Sequence, residues 1–353
     1  MNGRDDGKRL VPAVDVRING NRIPAQTLAD LVAVTVQEDL YAPAMFTLRL
    51  VNWDFEKLQV TWSDDRLFAE GNEVDILMGY PGDLKTVIVG EITGLELEFN
   101  VEQTLMLIVR GYDRRHRLLR GRKTRSFVQM TDSQIASQVA AGAGLSAEVV
   151  DSQVKLEYVL QHNQTDLEFL LERARLIGYE VLVVKKTLFF RPAQIARQSA
   201  LTLSAQGDLL EFSPRSTTLG QVGEVEVRGW NPQEKQVITG KAHRAEKFLG
   251  KTGGPQAADK AFGKVSRLSV DRPVINRAEA EKIAQGLFNE MALSYIGGEG
   301  ACEGRPDLRP GLIVDIQGLG KRFSGAYYIT ATSHEISPAL GYQTAFTVRR
   351  NAT

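Results

Sequence analysis

Two distant stretches of this sequence resemble each other, and this internal repeat limits the possible folds more than any other feature. The hexapeptide at 71–76 shares its Gly, Val, Asp and Ile in register with the hexapeptide at 311–316. The pairs Gln103-Thr104 and Gln343-Thr344 also match, each starting 32 residues after the first glycine of its own hexapeptide. General similarity among antiparallel strands is the alternative explanation. Matched spacing favours a duplicated unit, so the sequence predicts two copies of one β-barrel, the second interrupted around 233–297.

The first third of the chain alternates apolar and polar residues with the period of two that strands show. The alternation at 14–18 ends in Asn19-Gly20, a strong hairpin signal because both residues tolerate a positive φ. Similar segments continue to residue 111, separated by Gly, Pro, Asp and Asn. Several short strands with turns between them are typical of a sandwich or barrel. We expect residues 10–113 to form the first antiparallel β-barrel, preceded by a flexible N-terminus at 1–9.

The middle of the chain has the patterns of helices. The sequences TDSQ at 131–134 and TDLE at 165–168 fit the capping box of a helix N-terminus, and apolar residues follow each at helical spacing. A strand hairpin is predicted at 179–191. We expect residues 114–200 to form an α+β domain.

Strand patterns return after residue 200 and indicate a second β-barrel, built from 201–232 and 298–353. Between these parts, 233–297 is predicted to be an inserted polar loop followed by a helix with Asn276 at its N-cap. The loop at 249–263 is either flexible and passive or ordered only against another component. The predicted fold class is therefore α+β and β-dominated, with two similar antiparallel β-barrel domains and an interposed α+β domain.

Composition excludes several classes of protein. Lys plus Arg number 43 and Asp plus Glu number 43, and this balance argues against a whole surface devoted to DNA or anionic membrane. The single cysteine, Cys302, excludes an intramolecular disulfide. The first residues lack the apolar run of a signal peptide, and no stretch approaches the ~20 apolar residues of a membrane span. We expect assembly in the cytoplasm and no membrane insertion.

No residue pattern in the sequence predicts catalysis. Gly250-Lys251-Thr252 lacks the earlier glycine and the preceding strand of a phosphate-binding loop. Asp64-Asp65 lies in a polar segment, where solvation explains the two carboxylates better than glycoside hydrolysis does. None of the histidines has a partner at the spacing of a metal motif: His116, His162, His243 and His334. We predict no catalytic residue, no cofactor and no metal, and a protein that is not an enzyme.

A dense basic run follows the first predicted barrel. Nucleic-acid binding would require interleaved aromatic residues for stacking, and only Tyr112 and Phe127 are near. The run is better explained as an interface, at which arginines pair with carboxylates of neighbouring subunits or tube components. The candidate interface residues are Arg114, Arg115, Arg117, Arg120, Arg122, Lys123 and Arg125.

Several motifs, taken in their order and spacing, resemble a known family. They are VRGYD (109–113), TDSQIA (131–136), QHNQTDLEFL (161–170), GYE (178–180), GRPDLRPG (304–311) and FSGAYYIT (323–330). The sequence resembles the late control protein D family of contractile phage tails. That family is similar to the amino-terminal hub region of valine-glycine repeat protein G in type VI secretion and to the hubs of extracellular contractile injection systems. The motifs span most of the chain.

The resemblance implies a structural baseplate hub. It implies a homotrimer whose six barrels form a ring, matching a hexameric inner tube to a trimeric spike. Implied partners are the inner tube protein, a spike that is a separate polypeptide because the sequence stops at Thr353, and baseplate wedge or sheath components. After assembly in the cytoplasm, the protein would be part of a phage tail or injection particle. The alternatives are a tail-associated cell-wall hydrolase, which requires a catalytic constellation, and a carbohydrate-binding protein, which requires exposed aromatic residues.

Overall fold

The structure is a computed structural model that describes residues 11–100, 103–195, 198–231, 234–270 and 273–353. The expected flexible N-terminus at 1–9 lies outside these residues. Strands dominate, most of them antiparallel, and the longer helices lie in the middle and later parts of the chain. The predicted α+β, β-dominated fold class is confirmed.

The first part of the chain consists almost entirely of strands. A short helix, α1 (Ala25–Asp30), lies between the second and third strands. In chain order the strands are β1 (Ala13–Ile18), β2 (Asn21–Arg22), β3 (Leu31–Asp39), β4 (Met45–Val51), β5 (Trp53–Asp54), β6 (Gln59–Val60), β7 (Glu73–Tyr80), β8 (Asp83–Asn100) and β9 (Gln103–Asp113).

The α+β segment begins with a 3-10 helix at Arg114–Leu119. Its helices are α2 (Asp132–Gly142) and α3 (Asp166–Leu176). Both begin with a complete capping box, at Thr131 and Thr165, as the sequence predicts. The strands are β10 (Lys123–Thr131), β11 (Ser146–Val149), β12 (Lys155–Gln164), β13 (Tyr179–Val184) and β14 (Thr187–Pro192).

The last part of the chain returns to the large sheet after a long insertion. Its helices are α4 (Gly254–Phe262), α5 (Arg277–Leu293) and α6 (Gly320–Phe323). Its strands are β15 (Leu201–Ser204), β16 (Leu209–Ser216), β17 (Glu224–Asn231), β18 (Gln236–Ala242), β19 (Ser266–Ser269), β20 (Ile296–Glu303), β21 (Ile313–Gln317), β22 (Gly325–Ser337) and β23 (Gly341–Arg350).

One large sheet joins the two ends of the chain. Its strand order is β16-β20-β23-β22-β3-β4-β9-β8-β7-β1-β2, with β21 beside β22 and β15 beside β21. The two halves contain the same arrangement: β7-β8-β9-β4-β3 in the first corresponds to β21-β22-β23-β20-β16 in the second, and every neighbour within these sets is antiparallel. The internal repeat is therefore a repeat of strand order as well as of sequence.

Two β-bulges occur at corresponding places in both halves. The pairing of β8 with β9 shifts between Ile92 and Gly94, and that of β22 with β23 shifts between Ile329 and Ala331. The edge strands also match, since β3 shifts between Leu31 and Ala33 and β16 between Leu209 and Glu211. Because a bulge fixes the register of a strand, these matches define which residues correspond.

The bulges correct one part of the sequence comparison. Gly94 pairs with Arg110 and Ala331 pairs with Thr347, so Thr347 is the structural counterpart of Arg110. The match between Gln103-Thr104 and Gln343-Thr344 instead makes Arg350 the counterpart of Arg110, which is three residues away from the structural counterpart, Thr347. A shift by an odd number reverses the face of every side chain. Accordingly, Arg350 is buried whereas Arg110 is half-buried.

The insertion contains more secondary structure than predicted. Strand β17, expected in the second barrel, pairs instead with β18 and β19 in a separate sheet. The expected loop includes β18, α4 and β19. Helix α4 begins at Gly254-Pro255, where proline is favoured because its missing N–H is not needed in the first turn. The Gly-Pro signal thus marked a helix start within the predicted loop. The division of the chain into domains stays a prediction.

Helix α5 closes the core of the insertion. It packs against β17 and β18, and a Cβ at Gly240 would lie 2.1 Å from the carbonyl carbon of Ala280, so only glycine permits this approach. The buried side chains of this layer, such as Val225 and Phe288, form one cluster with those of the α+β segment, such as Phe169. The insertion and the α+β segment therefore share a hydrophobic core beside the large sheet.

Candidate functional site: the edges of the large sheet

The two halves of the large sheet meet where β22 pairs with β3. The distal part of β22 makes this contact, with His334 opposite Val36 and Ile336 opposite Val34. Arg309 supports the junction by donating a hydrogen bond of 2.6 Å to Glu38 and one of 3.0 Å to the backbone oxygen of Thr86. Pairing and charge-assisted hydrogen bonds thus close the edge of β22 within the chain.

His334 lies fully buried at this junction. Its Nδ1 is 3.1 Å from the Thr344 hydroxyl and 3.2 Å from the Tyr342 hydroxyl. Burial, assisted by the positive charge of Arg309, lowers the pKa of His334 to about 3. The imidazole is therefore neutral near pH 7 and acts as a structural anchor of the strand.

The equivalent edge of β8 has a different environment. Beyond Glu91, which is paired with β7, the described residues of β8 pair only with β9. Leu97 lies opposite the buried Leu107, on the core side of the sheet, yet it is 55% exposed. Phe99 is 76% exposed. When the two halves are aligned on the shared bulge, Leu97 corresponds to His334 and Phe99 corresponds to Ile336. The edge of β22 at His334 and Ile336 is covered by β3.

The other face of the β8 edge is charged but balanced. Glu96 accepts two hydrogen bonds from Arg110, at 2.6 and 3.0 Å, and Glu98 accepts one of 2.8 Å from Arg49. The hydrogen bonds from Arg110 lower the pKa of Glu96. The charges of this edge are therefore paired within the chain, whereas its apolar side chains, Leu97 and Phe99, remain exposed to solvent.

Another free edge belongs to β16, at one end of the strand order of the same sheet. Among the described strands β16 pairs with β20 alone. It corresponds to β3, and Phe212 and Pro214 occupy the places of Val34 and Val36. Phe212 contacts the rings of Tyr327 and Phe346 at 5.5 and 6.0 Å between centroids. An unpaired edge of this kind is a template for another strand.

The predicted interface arginines are largely engaged within the chain. Arg114 and Arg115 are buried, 5% and 3% exposed, and pair with Glu91 and Asp113 at 3.1 and 2.8 Å. The more exposed members also have intrachain partners: Arg117 with Glu91 at 2.6 Å, Arg122 with Glu168 at 3.0 Å, Lys123 with Asp166 at 2.6 Å and Arg125 with Asp166 at 2.7 Å. Arg120 is exposed. The interface assignment stays a prediction, and burial makes Arg114 and Arg115 its least accessible members.

Glu91 organises the start of this basic run. Burial alone would raise the pKa of its carboxyl group, but hydrogen bonds from Arg117 and His116, together with the charge of Arg114, lower the pKa to about 2. This carboxylate therefore stays ionised and holds the 3-10 helix against β8. Sequence reasoning missed it because Glu91 is more than 20 residues from its partners.

The structure offers little support for metal or thiol chemistry in the described residues. Among them, no cluster of three or more His, Cys, Asp or Glu side chains is arranged to hold a metal ion. Cys302 is buried, and burial raises the pKa of its thiol to about 12. Within the same residues, no helix combines the length and apolarity needed to cross a bilayer.

Comparison with protein families decides the classification. Residues 8–338 match the family model described as the Alg8 N-terminal domain. The chain belongs to the Alg8 N-terminal domain family. No curated protein sequence matches the chain.

Solved structures share its fold. The 43 kDa tail protein of prophage MuSo2 from Shewanella oneidensis has a TM-score of 0.71 and 14% identity, over 96% of this chain and 98% of that one. A tail protein from Neisseria meningitidis MC58 has a TM-score of 0.69 and 14% identity, over 96% and 97%. The E. coli c3393 protein, described as a type VI secretion system component similar to the T4 tail proteins gp27 and gp5, has a TM-score of 0.62 and 15% identity, over 96% and 77%.

The chain thus has the fold of these phage tail and type VI secretion proteins. This confirms the coarse resemblance found in the sequence. The finer assignment to the late control protein D family stays a prediction.

Proposed function

We propose that the protein is the structural hub of a contractile tail or injection system, and that three copies close into a ring by pairing β8 of one copy with β16 of the next. The carrying observation is the β8 edge, where Leu97 and Phe99 face the core side of the sheet but remain mostly exposed. The equivalent edge of β22 is covered by β3 of the same chain.

The pairing of β22 with β3 provides the register for the proposed contact. Transferred through the shared bulges, it places Leu97 opposite Pro214 and Phe99 opposite Phe212 of the next copy. On the outer face it places Glu96 opposite Arg215, a pair of opposite charges, which favours this alignment. Burying an exposed leucine or phenylalanine contributes about 1.5–3 kcal/mol, so both side chains in each contact stabilise the ring.

Ring closure explains why the chain carries two similar units. Three chains with two units each present six near-equivalent units, which suits a sixfold tube on one side and a threefold spike on the other. A closed ring also covers the β8 and β16 edges, which otherwise promote aggregation. Three copies are proposed because the sequence resemblance implies a homotrimeric hub.

The proposed role is mechanical. The neighbours that share the fold are described as tail proteins and a secretion system component, which supports a structural role in a tail or injection system. Load transfer between an inner tube protein and a spike is proposed as that role. Neighbouring subunits or tube components are proposed to contact the exposed members of the basic run, including Arg120 and Arg122. Baseplate wedge or sheath components are proposed as further partners. Assembly is proposed to occur in the cytoplasm before the particle is complete.

Cysteine cross-linking tests the ring. In the variant Glu96→Cys/Arg215→Cys the new cysteines face each other only across the β8–β16 contact, because these strands lie far apart within one chain. The control Glu96→Cys/Glu211→Cys moves one cysteine by four residues, ~13 Å along the strand. Native Cys302 is buried and should not interfere.

The expected result, in assembled particles, is disulfide-linked dimers and trimers for the first variant and monomers for the control. Equal cross-linking in both variants, or none in either, would overturn the proposed contact.

A further inference from the structure

A small cavity lies where the α+β segment meets the second half of the large sheet. Its volume is about 100 Å³, and α3, β13, α5 and β22 contribute to its wall. Most of the lining surface is apolar, and Leu40, Ala174, Val181 and Leu293 are among its buried residues. The cavity lies within one chain and is separate from the β8 and β16 edges.

Two polar groups in this wall lack partners. Glu180 is 8% exposed, and among the described residues neither of its carboxyl oxygens has a hydrogen-bond partner. The hydroxyl of Tyr328, which is 1% exposed, is likewise unpartnered within the described chain. Burying a carboxyl group without a partner is costly, so this site favours a ligand that brings hydrogen-bond donors.

The surrounding charges do not neutralise Glu180. Arg191 lies opposite it on the neighbouring strand β14, but its guanidinium group stacks over the Phe189 ring, 5.5 Å from the centroid. The other titratable groups that line the cavity are Tyr41, Arg175, Tyr179, Glu246, Lys247 and Glu290. Among these groups, Arg175 and Glu290 form an ion pair with a nitrogen–oxygen distance of 2.8 Å.

We propose that this cavity binds a small primary alkylammonium ion, with its alkyl chain against the apolar wall and its ammonium group donating to Glu180 and Tyr328.

The chemistry of the two partners is complementary. An ammonium group has three donors and no acceptor, whereas a carboxylate has only acceptors, and hydrogen bonds between opposite charges are about twice as strong as neutral ones. Burial raises the pKa of Glu180 to about 8, despite the opposing charge of Arg191. A bound cation favours the ionised carboxylate and therefore lowers this pKa.

The cavity also limits the size of the ligand. An apolar cavity of about 150 Å³ accepts benzene, so this smaller cavity suits a chain of about four carbons. It adjoins an open cleft of about 830 Å³, with which it shares Leu171 and Arg175, and this cleft provides a path from solvent.

The test uses n-butylammonium chloride and the full chain in isothermal titration calorimetry. We expect saturable binding at pH 8.5 and at least tenfold weaker binding at pH 6.0, where Glu180 is mostly protonated. In carbon-13 NMR of the wild type, saturating n-butylammonium should lower the titration midpoint of the Glu180 carboxyl group by at least one pH unit. The neutral analogue n-butanol should not bind.

Two variants assign the binding to Glu180. Glu180→Gln should weaken n-butylammonium binding at least tenfold at pH 8.5. Glu279→Gln, which alters a half-buried carboxyl group outside the cavity, should leave it within twofold. Unchanged binding in Glu180→Gln, or no binding to the wild type, would overturn the proposal. Equal binding of n-butanol would also overturn it, because the ligand would then be an adventitious additive only. If Glu180→Gln does not fold, an unmoved Glu180 midpoint in the wild type refutes it. These outcomes are independent of the ring, because the cavity belongs to a single chain.

Discussion

Replacing Glu180 with glutamine should remove a defined part of the pH dependence of stability. The pKa of this carboxyl group is raised from 4.5 to about 8 in the folded protein by burial. The folded state therefore holds a proton that the unfolded state releases. Such a group contributes its full stability below pH 4.5, and the contribution is lost as the pH rises through 8.

The magnitude follows from the two pKa values. Between pH 6 and pH 8 the folded carboxyl group is protonated and the unfolded one is ionised, so stability falls by about 1.4 kcal/mol for each pH unit. From pH 6 to pH 9 the wild type should lose about 3 kcal/mol through this group. Glutamine is neutral throughout, so Glu180→Gln should lack this loss.

Urea denaturation followed by tryptophan fluorescence measures the effect at pH 6, 7, 8 and 9. The difference in unfolding free energy between wild type and Glu180→Gln should change by about 3 kcal/mol over this range, in favour of the variant as pH rises. Glu211→Gln, at an exposed position of β16, is the matched control and should keep the wild-type slope. Parallel curves for the wild type and Glu180→Gln would refute the assignment of this proton to Glu180.

Three other changes test separate parts of the structure. Leu97→Asp with Phe99→Asp should prevent assembly into particles, as measured by gel filtration. The thermal unfolding temperature of the single chain, measured by calorimetry, should stay within about 2 °C of the wild type. A normal particle yield would contradict the role of this edge. Glu91→Gln should destabilise the chain by about 3 kcal/mol, the free energy that corresponds to lowering the carboxyl pKa from 4.5 to about 2. The loss should be complete above pH 4.5 and should vanish as the pH falls toward 2. An unchanged urea midpoint at pH 7 would contradict this prediction. Gly240→Ala should cost about 1–3 kcal/mol, because the new methyl group meets the backbone of α5; wild-type stability would show that α5 can move away freely.

The sequence predicts the duplicated β-units because a repeat is a direct record of a repeated fold. It also predicts the starts of α2 and α3, since a capping box is local and both boxes form as expected. The sequence does not predict the register of the repeat, that is, which residues of the two halves correspond. Bulges shift the strand pairing by one residue, and a short sequence match such as the one at Gln103 does not reveal them.

Other features depend on contacts that sequence spacing does not reveal. Lys123 and Arg125 share Asp166 as a partner, about 40 residues away, so a run that looks like a free basic surface is largely neutralised. The alternation of Leu97 and Phe99 with glutamates predicts a strand and its two faces, but not whether a neighbouring strand covers it. Glu180 likewise gives no local sign that it lacks a partner.

A cryo-electron microscopy map of the assembled particle tests the central proposal most directly. It should show three chains in a closed ring, with β8 of each beside β16 of the next and Glu96 opposite Arg215. A ring in which the β8 edge stays exposed to solvent, or pairs with a different strand, would contradict the proposed assembly.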